Sequence, residues 1–343
     1  REGRSDRGRG ARARFASVNP LYSSEAETFR RRVRDFLQRS LPADFAGIGS
    51  LSHDEVRQWT TDWRRKLYEE RFLAPGWPAE YGGGGLSALE QVVSVHATHP
   101  EAWAYRAVIA HLRNDPARER SARGKALSTW ARNPRVDSLI GEKLSAKYRF
   151  AEGAAYQRRA REFDPDYLPA KSALATDLLR LGETEEGWRL AQEVHEADAY
   201  DVEAFNLVTL RDTMAKYAAM TSDDFVVRMA APEVAIYGAR VVALLRRAQE
   251  TLVPKYGVEL ARPTYIEIFA DQRDFAVRTF GLPDVAGFLG VCFGRVVTAN
   301  SPATGNSSTN WEAVLWHEFC HVVTLQLTRN KMPRWLKIGR AHV

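Results

Sequence analysis

The sequence contains few cysteines and no long apolar stretch. Only Cys292 and Cys320 occur in 343 residues, too few for a disulfide framework or a cysteine-rich zinc site. No run of about 18 apolar residues is present, so no transmembrane helix is expected. Hydrophobic residues make up 45% of the chain and charged residues 27%, and this balance excludes a wholly disordered or collagen-like protein.

The net charge of +6 comes mainly from the N-terminal end of the chain. Residues 1–14 contain six arginines and two acidic residues, so the rest of the chain carries only +2. We interpret residues 1–14 as a disordered Arg/Gly-rich tail, or as translated GC-rich DNA upstream of the true start. Such a tail can contact nucleic acid non-specifically through phosphates. No other nucleic-acid contact is expected.

Residues 15–93 form the first predicted block. Ser24 and Glu27 have the spacing of a capping box, and so do Ser52 and Glu55. Each pair precedes aromatic and apolar residues at helical spacing. We therefore predict two helices that pack through an aromatic seam.

Several stretches of this block have a distinctive sequence, and the most specific is the run Pro-Gly-Trp-Pro-Ala-Glu-Tyr-Gly-Gly at 75–83. With 33–37 and 63–68, it resembles the N-terminal helical domain of acyl-CoA dehydrogenases. In that family the flavin site and the catalytic carboxylate lie further along the chain, and neither can be placed here. No residue role is therefore carried over, and FAD is not expected.

Residues 94–220 form a second block with an internal repeat. Its predicted helix corners are spaced by 34, 31 and 34 residues, so the middle repeat is predicted to be three residues short. Small residues recur at matching offsets after the corners, with Ala110 matching Ala175 and Ala122 matching Gly187. A 34-residue period is typical of tetratricopeptide repeats, whose helix pairs stack on one another. The repeats predict either a peptide-binding groove or a structural spacer. The corners are His99-Pro100, Asn133-Pro134, Asp164-Pro165 and Asp198-Ala199.

Residues 221–337 form a third block of mixed secondary structure. The pattern predicts an amphipathic helix over 234–252 that Pro254 stops, and strands over 265–269 and 295–299. Thr309 and Glu312 have the spacing of a further capping box, which would open a helix that runs to about Arg329.

That last helix contains an HExxH motif, His317-Glu318-Phe319-Cys320-His321. Residues i and i+4 lie on one helical face, so two imidazoles can bind one zinc ion at about 2.0–2.1 Å. Glu318 would then act as the general base toward a zinc-bound water, and the strand near Val296 is expected to hold an extended peptide by backbone pairing. The alternative is two unrelated surface histidines. Cys320 is interpreted as a buried small residue rather than a metal ligand.

The HExxH helix follows a predicted strand and precedes the segment Met332-Pro333-Arg334-Trp335-Leu336. This order resembles the peptidase-MA-like group of gluzincin metallopeptidases. The resemblance implies a glutamate as third zinc ligand shortly after the Trp-Leu pair, where this chain has Ile338. Residues 338–343 match what a common sequencing adapter encodes, and we expect them to be an artefact. Zinc is therefore expected to bind weakly or not at all.

Together these patterns predict a mainly α fold: a helical N-terminal fragment, tetratricopeptide helical repeats, and an incomplete α+β zincin-like domain. Because the blocks are unrelated, we expect a chimeric gene model joined near Val93. The repeats and the third block are expected to form one packed unit, with residues 15–93 docked only loosely. The expected function is a fragment of a zinc-dependent metallopeptidase, inactive as written, with a protein or peptide as partner. The alternatives are a non-catalytic tetratricopeptide scaffold and an acyl-CoA dehydrogenase fragment, which would be a flavin oxidoreductase.

Overall fold

The computed structural model describes residues 24–42, 45, 51–70, 72, 89, 92–93, 96–285, 287–304 and 310–332. Its contacts separate two compact units, one ending at Trp103 and one beginning at Ala104. The described chain is mainly helical with one mixed sheet, which confirms the predicted fold class. None of its helices is both long and apolar enough to cross a bilayer. The tail 1–14, the run 75–83 and the segment 338–343 lie outside the described residues.

The first unit contains helices α1 (Ser24–Ser40) and α2 (His53–Glu69). Ser52 and Glu55 form the predicted capping box at the start of α2. The aromatic seam is also present. The buried Phe36 ring lies 5.3 Å from the Trp63 ring and 5.2 Å from the Phe72 ring between centroids.

Seven helices follow as hairpins with a regular period. The first helices of the hairpins are α3 (Pro100–Leu112), α5 (Pro134–Ser145), α7 (Leu168–Leu181) and α9 (Val202–Met214). The second helices are α4 (Pro116–Ala126), α6 (Phe150–Phe163) and α8 (Thr184–Ala197). In each series, every helix starts 34 residues after the one before it.

The prediction of a shortened middle repeat is therefore wrong. It rested on Asp164-Pro165, but Asp164 is the C-cap of α6, and α7 begins only at Leu168 with Pro169 in its first turn. The predicted small residues do lie at helix contacts. Ala175 is 1% exposed, and a Cβ on Gly187 would lie 2.9 Å from the Leu179 side chain.

The second unit also contains a five-stranded sheet of order β1-β2-β3-β5-β4. Strand β3 pairs in parallel with β2 on one side and with β5 on the other. At the two edges, β1 pairs antiparallel with β2, and β4 pairs antiparallel with β5. Strands β3 and β5 confirm the two predicted strands, and the other three were not predicted. The bounds are β1 Tyr217–Thr221, β2 Phe225–Ala230, β3 Thr264–Phe269, β4 Gly290–Cys292 and β5 Val296–Asn300.

Two predicted helix ends in this part differ from the structure. A short helix α10 (Ala231–Glu233) and a π-helical turn (Val234–Gly238) lead into α11 (Ala239–Tyr256). Pro254 lies inside the last turn of α11 instead of stopping it. The helix ends where Gly257 adopts a left-handed conformation with φ of +58°, which glycine allows at low cost.

Helix α12 spans Gln272–Phe280, and α13, the helix of the HExxH motif, spans Trp311–Leu327. Thr309 lies outside the described residues. The N-cap is Asn310, whose side chain accepts a hydrogen bond from the Ala313 amide at 3.1 Å. The predicted cap is therefore wrong by one residue, since Asn and Thr both favour this position.

Two hydrophobic clusters bury the two faces of the sheet. One cluster joins the sheet to α11 and α13, and the other joins it to α12 and the helical hairpins. In the second cluster Leu174 and Leu178 of α7 pack with Phe269 and Val296 of the sheet, and all four are less than 2% exposed. The hairpins and the sheet therefore share one core, which confirms the expectation that they form one packed unit.

Candidate metal centre

The two histidines of the HExxH motif converge on one side of α13. Their Nε2 atoms lie 3.1 Å apart, and their ring centroids lie 4.8 Å apart at an interplanar angle of 81°. His321 is buried, whereas His317 is partly exposed. The helical spacing thus brings the two nitrogens together, as the sequence predicts for a pair of metal ligands.

This nitrogen pair fits one small cation. With Zn–N bonds of about 2.05 Å, a separation of 3.1 Å corresponds to an N–Zn–N angle of roughly 98°. That angle is near the roughly 109° of tetrahedral coordination. His317 and His321 can therefore share a zinc ion with little side-chain movement.

A third ligand is not visible beside this pair. Within the described ranges, no group of three or more His, Cys, Asp or Glu side chains is arranged to hold a metal ion. Ile338, which stands where the gluzincin resemblance expects a glutamate, lies outside those ranges. Cys320 is partly buried and packs against the core, and burial raises the pKa of its thiol. The thiolate form that binds metals is therefore disfavoured at neutral pH.

Glu318, the predicted general base, is buried against the sheet. It is 6% exposed, and its Cγ lies 2.8 Å from where a Cβ on Gly290 would stand. Only a residue without a side chain permits this approach of helix and strand. From the sequence, Gly290 was named only as one of the glycines between the two predicted strands, and no role at the site was predicted for it. The sequence feature that could have indicated the close approach is the position of this glycine directly before the short apolar run Val291-Cys292-Phe293.

Gly290 lies on β4, which is one of the two edge strands of the sheet in the described residues. Two flanking residues form backbone hydrogen bonds with β5 or its end. The Asn300 N–H donates to Leu289 C=O at 3.0 Å, and the Phe293 N–H donates to Val296 C=O at 2.8 Å. Because bonded and non-bonded pairs alternate in an antiparallel ladder, the N–H and C=O of Gly290 face away from β5.

This arrangement corrects one expectation from the sequence. The strand near Val296 was expected to hold an extended peptide by backbone pairing. That strand is β5, which is paired on one side with β3 and on the other with β4. It has no open edge for a peptide, whereas β4 ends the sheet.

A cavity of about 100 Å³ lies beside the first turns of α13. Val314 lines this cavity, and its Cγ1 also lies 3.2 Å from the Cβ position of Gly290. The cavity therefore adjoins the contact between Glu318 and the edge strand. Its lining is mostly apolar toward α13 and polar toward the end of β5: Ile268, Gln272, Leu289, Ala299, Asn300, Ser301, Pro302, Thr304, Trp311, Val314 and Leu315.

The N-terminal part of the chain is similar to a known protein family. The family model described as the acyl-CoA dehydrogenase, N-terminal domain matches residues 23–113, which supports the resemblance seen in the first block. The match runs beyond Val93 and includes α3, which also belongs to the hairpin series. No curated protein and no solved structure matched the chain. The matched segment is less than half of the chain and does not contain His317, Glu318 or His321.

Proposed function

We propose that the second unit is a fragment of a zinc-dependent metallopeptidase. The observation that supports this most directly is the 3.1 Å approach of the His317 and His321 Nε2 atoms on the helix that also presents Glu318. Bound zinc would supply a water whose pKa is lowered toward about 7. The two imidazoles would hold the ion from one helical face.

Glu318 would act as the proton acceptor of this site. Its carboxylate would take a proton during attack on a peptide carbonyl and return it to the leaving amine. Packing against Gly290 restricts the rotamers of this side chain, so the carboxylate would be oriented before substrate binds. Removal of a general base typically lowers a rate by about 10²–10⁴-fold.

Strand β4 would hold the peptide. An extended peptide that pairs with a sheet edge is held by backbone hydrogen bonds. Its binding therefore depends little on the sequence of the peptide. The N–H and C=O of Gly290 face that edge, and Glu318 packs against the same residue. The adjoining cavity of about 100 Å³ would accept one side chain of modest size.

We expect the chain with Ile338 to bind zinc weakly and to be essentially inactive. A catalytic zinc site normally has three protein ligands and one water, and two histidines on one helix hold the ion from only one side. Even loss of an outer-shell partner costs roughly 10–100-fold in affinity or activity. A missing ligand that contacts the metal should cost at least as much.

Zinc binding and hydrolysis, measured separately, test this proposal. We expect His317→Ala and His321→Ala each to lower zinc affinity in equilibrium dialysis. In an Ile338→Glu background, Glu318→Gln should retain zinc and lose hydrolysis of an unstructured peptide, because glutamine has a similar shape but cannot accept the proton. Zinc binding that survives both alanine substitutions, or hydrolysis that survives Glu318→Gln, would refute the assignment.

A non-catalytic scaffold is the second candidate. It is favoured by the regular 34-residue spacing of the helix starts, which is typical of tetratricopeptide repeats that bind peptides. Two aromatic side chains near the last hairpin are exposed, Tyr200 at 93% and Phe205 at 52%. This candidate predicts peptide binding that Phe205→Ala weakens and EDTA does not. Binding abolished by EDTA would contradict it.

A further inference from the structure

A second cavity lies between the helical hairpins and the sheet. It has a volume of about 500 Å³, within the usual range for small-molecule sites. Its walls come from the first turn of α6, the end of α7, the turn between β4 and β5, and the end of α13. The lining residues are Arg149, Phe150, Ala151, Glu152, Arg180, Leu181, Ala261, Phe293, Gly294, Arg295, Leu325, Gln326, Arg329, Asn330 and Lys331.

Hydrogen bonds fix the walls of this cavity relative to one another. The Asn330 side chain donates to Tyr148 C=O at 2.8 Å and to Phe293 C=O at 3.3 Å, so it links the hairpins to the sheet. The Gln326 side chain donates to Gly294 C=O at 3.0 Å and accepts from the Ala261 amide at 2.7 Å. The cavity is therefore preformed.

The lining is strongly cationic. Glu152 is its one carboxylate, and it accepts a 2.7 Å hydrogen bond from Arg149. The other four cations are Arg180, Arg295, Arg329 and Lys331, and in the described part of the chain none of them has a carboxylate within 4.0 Å. The cavity thus holds a surplus of positive charge.

Arg180 differs from the other three cations in having a buried donor atom. Its guanidinium lies 5.5 Å from the ring centroids of both Phe150 and Phe293, and burial lowers its pKa, although the charges of Asp177 and Glu203 oppose the shift. Its Nε–H is buried and has no hydrogen-bond partner among the described residues, and Nη2 reaches the Thr279 carbonyl only at 3.4 Å. A buried donor without a partner is costly, so an acceptor from a ligand would stabilise it.

The first turn of α6 adds further donors. The N-cap residue Arg149 makes no side-chain capping bond. The amides of Phe150, Ala151 and Glu152 are in the first turn, which has no intrahelical acceptors. These three residues line the cavity. The positive end of the helix dipole therefore points to the same space as the four cations, an arrangement that favours an anion.

We propose that this cavity binds a small organic phosphate. A doubly charged phosphate group has enough oxygens to accept from the Arg180 guanidinium and from the first-turn amides of α6 together. Arg329 and Lys331 would balance its charge from the end of α13, where both are exposed. The remaining volume would hold the organic part of the ligand. This proposal is independent of zinc binding by His317 and His321.

Calorimetric titration of the full chain with pyrophosphate at constant ionic strength tests the proposal. We expect saturable binding that Arg180→Gln weakens about tenfold or more and that Lys331→Gln also weakens, since each removes a charge-assisted contact. Arg211→Gln is the matched control, because Arg211 is a cation of α9 that does not line the cavity. Citrate, a carboxylate of similar charge, serves as the comparison ligand.

Several results would overturn the proposal. They are the absence of saturable pyrophosphate binding, citrate binding as tight as that of pyrophosphate, and equal losses in Lys331→Gln and Arg211→Gln. Lys331 is exposed, so its substitution tests the site even if Arg180→Gln fails to fold. Binding that survives Lys331→Gln and Arg180→Gln unchanged would place the ligand elsewhere.

Discussion

Replacing Asp177 with asparagine should make the protein more stable, and increasingly so as pH rises. Asp177 lies on α7 and is 1% exposed. Burial raises the pKa of its carboxyl to about 7, although a hydrogen bond from Ser145 opposes the shift. That bond is 2.6 Å long. The carboxyl is thus held among α5, α6 and α7 in a place that suits its neutral form.

The size of the effect follows from proton linkage. In the unfolded chain the carboxyl titrates near 3.9, and in the folded chain near 7. Well below pH 3.9 it is protonated in both states and costs nothing. As pH rises to 7 the unfolded state ionises first, so the free energy of unfolding falls. A shift of about three units corresponds to roughly 4 kcal/mol above pH 7.

Asparagine removes this pH-dependent loss, because it has nearly the same shape and cannot ionise. Pulsed hydrogen exchange in urea, followed on peptides from α7, would measure the free energy of unfolding at pH 4.5, 6 and 8. We expect Asp177→Asn to gain about 1 kcal/mol at pH 4.5 and up to about 4 kcal/mol at pH 8. Asp166→Asn is the control, since that side chain is 94% exposed. A gain that does not change with pH, or an equal trend in the control, would refute the reasoning.

Three further predictions concern the sheet and the candidate metal centre. Gly290→Ala should displace Glu318 and lower peptide hydrolysis in an Ile338→Glu background while zinc affinity in dialysis is unchanged; unchanged hydrolysis would contradict the contact. Ile338→Glu should raise zinc affinity by roughly tenfold or more in dialysis, and Ile338→Gln, the uncharged control, should raise it less. Arg278→Met should destabilise the protein by about 3–5 kcal/mol in urea unfolding, because it leaves Glu267 as a buried charge; a change under 1 kcal/mol would contradict that.

The motif helix and two central strands could be predicted from the sequence, because local patterns specify them. The i, i+4 spacing of His317 and His321 fixes a common face once the segment is helical. Strands β3 and β5 are rich in β-branched residues and are buried along most of their length. Such runs have a clear strand signature. The aromatic seam and the capping box of α2 are local features of the same kind.

The edge position of β4 could not be predicted, because strand order depends on tertiary pairing. Strand β4 has only three residues in a stretch punctuated by glycines, so it gives little periodic signal. Its place at the end of the sheet decides which strand can accept a peptide. The cationic cavity was missed for a similar reason. Arg180 and Lys331 are far apart in sequence, and only the packing of α7 against the end of α13 brings them to one space.

The hairpins support the sheet that positions the HExxH helix, and a buried ion pair shows how. The Nε atom of Arg278 on α12 lies 2.7 Å from the Oε2 atom of Glu267 on β3, and both side chains are at most 2% exposed. The same guanidinium donates to Leu179 C=O at 2.8 Å, a carbonyl in the last turn of α7 whose other donor, the Gly182 amide, lies at 3.4 Å. Separating the hairpins from the sheet would expose that carbonyl and the shared apolar core. The hairpins therefore contribute to the packing of the sheet, and any peptide bound to them would have to use surfaces that the sheet leaves exposed.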